Sequence, residues 1–254
     1  MSGDLLRATA LLDYEAESIQ RLVARRGWRA LTPHERVGAA YAFVRDEIDF
    51  GYNETDSLPA SRVLADGYGQ CNTKATLLMA LLRALGVPSR LHGGTIHKRL
   101  QKGVVNGLIY LLAPTSIFHT WVEVSVDGRW IGLEGVILDA AYLRGIRSSV
   151  ARDQTRFLGF GVGTENVADP PIAWRGTDTF IQSTGVNADF GVYDDPDGFY
   201  AEHGENLSGV RAWLYARWIR RVLNRNVARI RARGGDAALG AMCCSAKASV
   251  EARA

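Results

Sequence analysis

Asp66-Gly67-Tyr68-Gly69-Gln70-Cys71 runs straight into Asn72-Thr73-Lys74-Ala75-Thr76-Leu77-Leu78-Met79-Ala80-Leu81-Leu82-Arg83-Ala84-Leu85, and Gly86-Val87-Pro88 closes the stretch. The first six residues are a turn-rich lead-in. Behind them Cys71 opens an apolar helix over Thr73 to Leu85, which Gly86 caps and Pro88 stops. A thiol in this place has three advantages. The partial positive charge of the helix end favours a thiolate. Gly67 and Gly69 let another molecule approach the backbone. The Cys71 amide has no helical acceptor and is free to hold a developing oxyanion. The reference thiol pKa of about 8.5 falls by several units at such a position beside an imidazolium, so the sequence predicts a Cys71 pKa well below the reference. Gln70 and Tyr68 are the candidates for an oxyanion donor or cleft residue, with Asn53 a weaker one.

The partners come from further along the chain. His119-Thr120-Trp121-Val122-Glu123-Val124 alternates as a strand, Asp127-Gly128 is a two-residue hairpin turn, and Trp130 to Leu133 returns. The returning strand carries Glu134 to the neighbourhood of His119. A carboxylate there would hold one ring nitrogen and leave the other for the thiol, the nucleophile–base–orienter arrangement of cysteine acyl transfer. Asp139 is a nearby substitute for Glu134, and the sequence leaves the choice open.

These pieces resemble the transglutaminase-like superfamily of papain-like enzymes. The matching residues are Val63-Leu64-Ala65-Asp66-Gly67-Tyr68-Gly69-Gln70-Cys71, Ala75 to Leu82, Arg83 to Arg90, the His-x-Trp-x-Glu-Val strand with its Asp-Gly turn, and the lead-in Phe43-Val44-Arg45-Asp46-Glu47-Ile48. The resemblance spans roughly residues 5–140. It implies an α+β fold, papain-like and transglutaminase-like, with N-terminal helices and a nucleophile helix packed on an antiparallel sheet. It also implies a Cys–His–Asp triad in which Cys71 is nucleophile and His119 base. Glu134 stands where Asp is usual, one methylene longer.

The rest of the chain reads as follows. Residues 4–30 form one or two helices, and Thr32-Pro33-His34-Glu35 starts another with an apolar face from Val37 to Ile48. Leu108 to Leu112 is a second apolar run. The expected domains are a catalytic core over 1–150, an irregular wrapping segment plus basic helix over 151–233 in the same domain, and a flexible tail over 234–254. The chain has 254 residues, 47% hydrophobic and 22% charged, which excludes a disordered or collagen-like protein. No run reaches the roughly 18 apolar residues of a membrane span, and no secretory leader is evident, so a cytoplasmic protein is expected.

Net charge is +3 but uneven: eight Arg and no acid lie between Asn206 and Arg233, residues beyond 233 cancel, and the first 205 residues therefore carry −5. That pattern predicts a helix over Leu207–Arg233 that docks on an acidic body, burying Trp218, Val222 and Ile230 with its Arg facing water or acids. Nucleic-acid or membrane contact is the lesser reading, and oligomeric state is left open.

His92 and His97 lack a third ligand, so no metal and no cofactor is expected. Cys243-Cys244 could bind a soft metal but reads more simply as two tail thiols. The activity expected is cleavage of an amide or peptide bond through a thioester acyl-enzyme, on a peptide or other amide-containing substrate. Two alternatives compete: a non-catalytic peptide- or protein-binding member of the same fold, and a thiol-based metal or metalloid handler.

Overall fold

The computed structural model describes residues 4–151 and 153–234. Helix α1, Glu17–Arg25, buries Ile19, Leu22 and Val23. Residues before it make turns rather than the helix expected from Leu5 and Leu12. Helix α2, Pro33–Asp46, begins as its sequence dictates: Glu35 N donates to Thr32 Oγ1, Glu35 Oε2 accepts from Thr32 N, and Pro33 takes the first position. Strand β1, Asp49–Phe50, pairs in parallel with β2, Tyr68–Gly69, and the short α3, Ala60–Asp66, lies between them.

Helix α4, Cys71–Ala84, is the centre of the molecule. All residues from Cys71 to Arg83 are buried, the polar Asn72, Thr73, Lys74, Thr76 and Arg83 among them. It ends in a Schellman motif, with Val87 N donating to Leu82 O, Gly86 N to Arg83 O, and Gly86 at φ +71°. Against it lies a four-stranded antiparallel sheet in the order β5-β4-β3-β8, formed by β3 (Ser89–His97), β4 (Ser116–Val126), β5 (Arg129–Gly132) and β8 (Val186–Tyr193). Val122, Val124 and Val126 of β4 are buried. Asp127 and Gly128, both at positive φ, make the expected tight turn between β4 and β5. The α+β class with the Cys71 helix on an antiparallel sheet is thus the architecture found.

Three parts differ from the sequence reading. Leu108 to Leu112 lies in a short helix, α5 (Gly107–Leu112), with Leu108, Leu111 and Leu112 exposed. β4 begins at Ser116, three residues before His119, and Glu134 sits in a 3-10 turn just past the end of β5 rather than on the strand. The C-terminal helix is not uniform. It starts as α8, Gly209–Leu214, passes through a π turn at Tyr215–Ile219, and continues as helix over 220–234.

That last difference corrects the expected burial. Leu223, Val227 and Ile230 are buried, but Trp218 is 63% and Val222 41% exposed. The inner face is fixed elsewhere, on α6 (Ala140–Arg147). A side chain at Gly145 would collide with Ile230 O, so only glycine admits this backbone contact. Arg231 completes the docking through Asp139, Asp49 and Phe50 O. The i→i+5 bonding of the π turn then adds a residue to one turn. It keeps Val210, Leu214, Trp218 and Val222, spaced by four, on the outer side. Residues 153–182 are irregular apart from the hairpin of β6 (Phe157–Gly159) and β7 (Val162–Thr164), a 3-10 turn at Ser183–Gly185 leads into β8, and α7, Pro196–His203, follows it. The predicted tail from 235 onward, with Cys243 and Cys244, lies outside the described residues.

Candidate active site

The turn before Cys71 is held by buried polar groups. Gln70 N donates to Thr73 Oγ1 (3.1 Å), Thr73 Oγ1 donates to Asn53 Oδ1 (2.7 Å), and Asn53 N donates to Gln70 Oε1 (2.8 Å). Asn53 Nδ2 also donates to Asp66 Oδ2 and Tyr68 O. Gly69 is required here, because a Cβ would meet Thr73 Oγ1 at 2.6 Å. The side chain and backbone N–H of Asn53 are therefore spent on fixing the approach to α4. Gln70 is also engaged: its Nε2 donates to Asp56 Oδ1 (3.0 Å), which leaves one amide proton. Tyr68 points elsewhere, its hydroxyl accepting from Arg220 of the C-terminal helix (3.2 Å).

Asn72 joins the thiol to the histidine strand. Its Oδ1 accepts from Thr120 N (3.0 Å), Thr120 Oγ1 (3.1 Å) and the Cys71 thiol (3.4 Å), while Nδ2 donates to Phe118 O (3.3 Å). It thereby grips β4 on both sides of His119. The sequence reading passed over Asn72, since an Asn inside a helix carries no motif of its own.

His119 and Glu134 come together. Nε2 of His119 stands 3.0 Å from Glu134 Oε1. Glu134 is itself clamped by backbone: Ile181 N donates to Oε2 (2.8 Å), and Gln182 N lies 3.1 Å from both oxygens. The other ring nitrogen, Nδ1, is buried and has no partner among the described residues. The Cys71 thiol is close enough to this ring to raise its pKa. Burial pulls the His119 pKa down, but the Cys71 thiol and the Glu134 carboxylate together outweigh it, and the value stands at about 9. An imidazolium at neutral pH beside a thiol is the partner a thiolate needs.

Asp139 is not at this site. It caps α6 through Tyr142 N (2.8 Å), accepts from Phe50 N (2.9 Å), and pairs with Arg231 (2.6 Å). Burial raises its pKa, and Arg231 more than reverses the effect, leaving it below the ordinary range. His92 and His97 are separate as well. His92 bridges Glu123 and Asp189 and stacks on Trp121 at 4.1 Å, while His97 accepts from Arg99 N. Among the described residues no group of three His, Cys, Asp or Glu is placed to hold a metal ion.

The site is closed. Cys71 is 9%, Glu134 3% and His119 0% exposed. Asn206 bridges its two walls, accepting from Phe118 N (2.7 Å) beside His119 and donating to Asp56 (2.8 Å), which in turn holds Gln70. Burial raises the pKa of Tyr200 of α7 and Tyr215 of the π turn well above the ordinary phenol value. None of these covering residues had a sequence signal.

Residues 22–134, which contain Cys71, His119 and Glu134, match the family model of the transglutaminase-like superfamily. The crystal structure of a candidate cysteine protease from Cytophaga hutchinsonii is similar to this chain, with 15% identity and a TM-score of 0.44. The likeness covers 78% of this chain and 49% of that one, so this chain spans about half the length of that protein. No curated protein matches the sequence. No helix among the described residues is long and apolar enough to cross a membrane.

Proposed function

We propose that this chain is a cysteine-dependent hydrolase of amide or peptide bonds, with Cys71 as nucleophile, His119 as acid and base, and Glu134 as the group that orients His119. The observation that carries the reading is the clamped carboxylate. Two backbone amides fix Glu134, Glu134 fixes Nε2 of His119, and Nδ1 is left for Cys71. A transglutaminase-like core over residues 22–134 supports a cysteine-based acyl transfer in general.

In the reaction, Cys71 Sγ attacks the carbonyl carbon and a C–S bond forms while the carbonyl oxygen takes the electron pair. The Cys71 backbone N–H, with no helical acceptor of its own, donates to that oxyanion. The remaining amide proton of Gln70 is a second donor. Imidazolium Nδ1 then gives its proton to the leaving nitrogen as the C–N bond breaks, and a thioester remains. A water loses its proton to His119 and attacks the thioester, releasing the acid and restoring the thiol–imidazole pair. Water is the expected acceptor because no residue set for a dedicated amine is recognisable. A cytoplasmic setting, where Cys71 stays reduced, fits this chemistry.

Incubation with a peptidyl acyl donor followed by intact-mass analysis tests the proposal. An acyl adduct on Cys71 that forms and then hydrolyses, and is absent in Cys71→Ala, is expected. A chain that binds the donor with no adduct at any time is a binding protein of this fold instead.

A further inference from the structure

The C-terminal helix has two faces, and only one is accounted for by docking. Leu223, Val227 and Ile230 pack on the body, and Arg220 and Arg231 point inward to Tyr68 and Asp139. The outer face presents Val210, Trp213, Leu214, Trp218 and Val222, with Trp213 58% and Trp218 63% exposed. Between them, also exposed, stand Arg211, Arg217, Arg221, Arg225 and Arg229. Among the described residues none of these five Arg makes an ion pair, and no acidic residue lies between Asn206 and Arg233. The π turn at Tyr215–Ile219 keeps the apolar positions, spaced by four, together.

From this we infer that the outer face of helix 209–229 is a docking surface for an anionic phospholipid membrane, on which the protein lies without spanning it. Exposed Trp beside Val and Leu suits the boundary between headgroups and acyl chains. Arg at the flanks of that stripe reaches headgroup phosphates while its methylenes stay in the apolar layer. A helix of this kind binds by apolar insertion and charge together. α5 adds apolar surface close by, since Asn226 Nδ2 donates to Val104 O (2.9 Å), three residues before that helix and its exposed Leu108, Leu111 and Leu112. Two other occupants fit the chemistry less well. Nucleic acid offers nothing to Val210, Leu214 and Val222, which an acyl layer would bury. A second copy related by two-fold symmetry would set this Arg-rich face against itself.

The test uses the full chain and vesicles of phosphatidylcholine, alone or with about one third phosphatidylserine. The protein should sediment with the anionic vesicles at about 0.1 M salt and dissociate as salt screens the charge. Tryptophan emission should shift to the blue on binding. Replacing Arg217, Arg221 and Arg225 by Gln should weaken binding by about fivefold for each residue. Trp213→Ser with Trp218→Ser should abolish the emission shift and most of the binding. Both sets are surface changes, so the melting temperature serves as the folding control. Equal binding to neutral and anionic vesicles, or no vesicle binding at all, overturns the proposal. So does a Trp variant that binds as the wild type does, tighter binding to a single-stranded DNA oligonucleotide, or a dimer in sedimentation velocity that hides both Trp residues.

Discussion

The buried cluster around His119 and the outer face of helix 209–229 treat polar and apolar groups in opposite ways. Around His119 the carboxylate and amide side chains are buried and matched: Glu134 has two backbone amides and an imidazole, and Asn72 has four partners. On the helix, two Trp and five Arg face water without partners among the described residues. A satisfied buried network is rigid and defines one geometry, because any loss leaves a desolvated group unpaired. An exposed mixture of Trp and Arg contributes little to folding and keeps its free energy for something outside the chain. Substitutions should therefore be costly in the first region and silent for stability in the second.

The largest effect is expected at His119. His119→Ala should lower kcat/KM by about ten-thousandfold, by analogy with triads in which one member is removed. The wild type should also lose activity at high pH. A folded-state pKa raised to about 9 keeps the imidazole protonated through neutrality. The stability that its partners confer is complete below the reference of about 6.5 and disappears as pH rises through the folded value. An alkaline limb near pH 9 in kcat/KM checks the sign, and it should move down when Glu134 loses its charge.

Next is Asn72. Asn72→Ala frees Phe118 O, Thr120 N and Thr120 Oγ1 and loosens Cys71 against β4. A misplacement of this size costs about a hundredfold in rate, with unfolding easier by about 1–3 kcal/mol. A purely structural role would lower the melting temperature and leave the rate of the folded fraction unchanged.

The docking of the helix is expected to matter less. Arg231→Gln should destabilise by about 2–3 kcal/mol, at the low end for a broken buried pair because Phe50 N and Tyr142 N still hold Asp139. Asp139 has a lowered pKa, so the pair stabilises the protein above the ordinary carboxylate range. The gap between wild type and variant should narrow as acid protonates Asp139. Smallest of all is Trp218→Ser, which should change stability by no more than about 0.5 kcal/mol. A loss of several degrees in melting temperature would mean that the outer face is packed after all.

How legible these regions are in the sequence follows from what each depends on. Cys71, His119 and Glu134 are visible because a glycine turn, a helix stop and a two-residue hairpin are local signals, and together they set the order of the pieces. The clamp on Glu134 is invisible, because Ile181 and Gln182 act through backbone amides that any residue but proline has. Nor did spacing decide between Glu134 and Asp139. Asp139 is drawn off by Arg231, ninety-two residues away. The helix was misjudged for a different reason. Apolar residues lie on both of its sides, and periodicity alone cannot say which side meets the core or that a π turn intervenes.

The most direct test of the account is the rate at which iodoacetamide alkylates Cys71 at pH 7 in wild type, Glu134→Gln and Asp139→Asn, followed by intact mass with fold checked by circular dichroism. If Glu134 holds the imidazolium that sustains the thiolate, wild type and Asp139→Asn react quickly, and Glu134→Gln is slower by at least about tenfold. Glu134→Gln reacting at the wild-type rate while Asp139→Asn is inert would contradict the account.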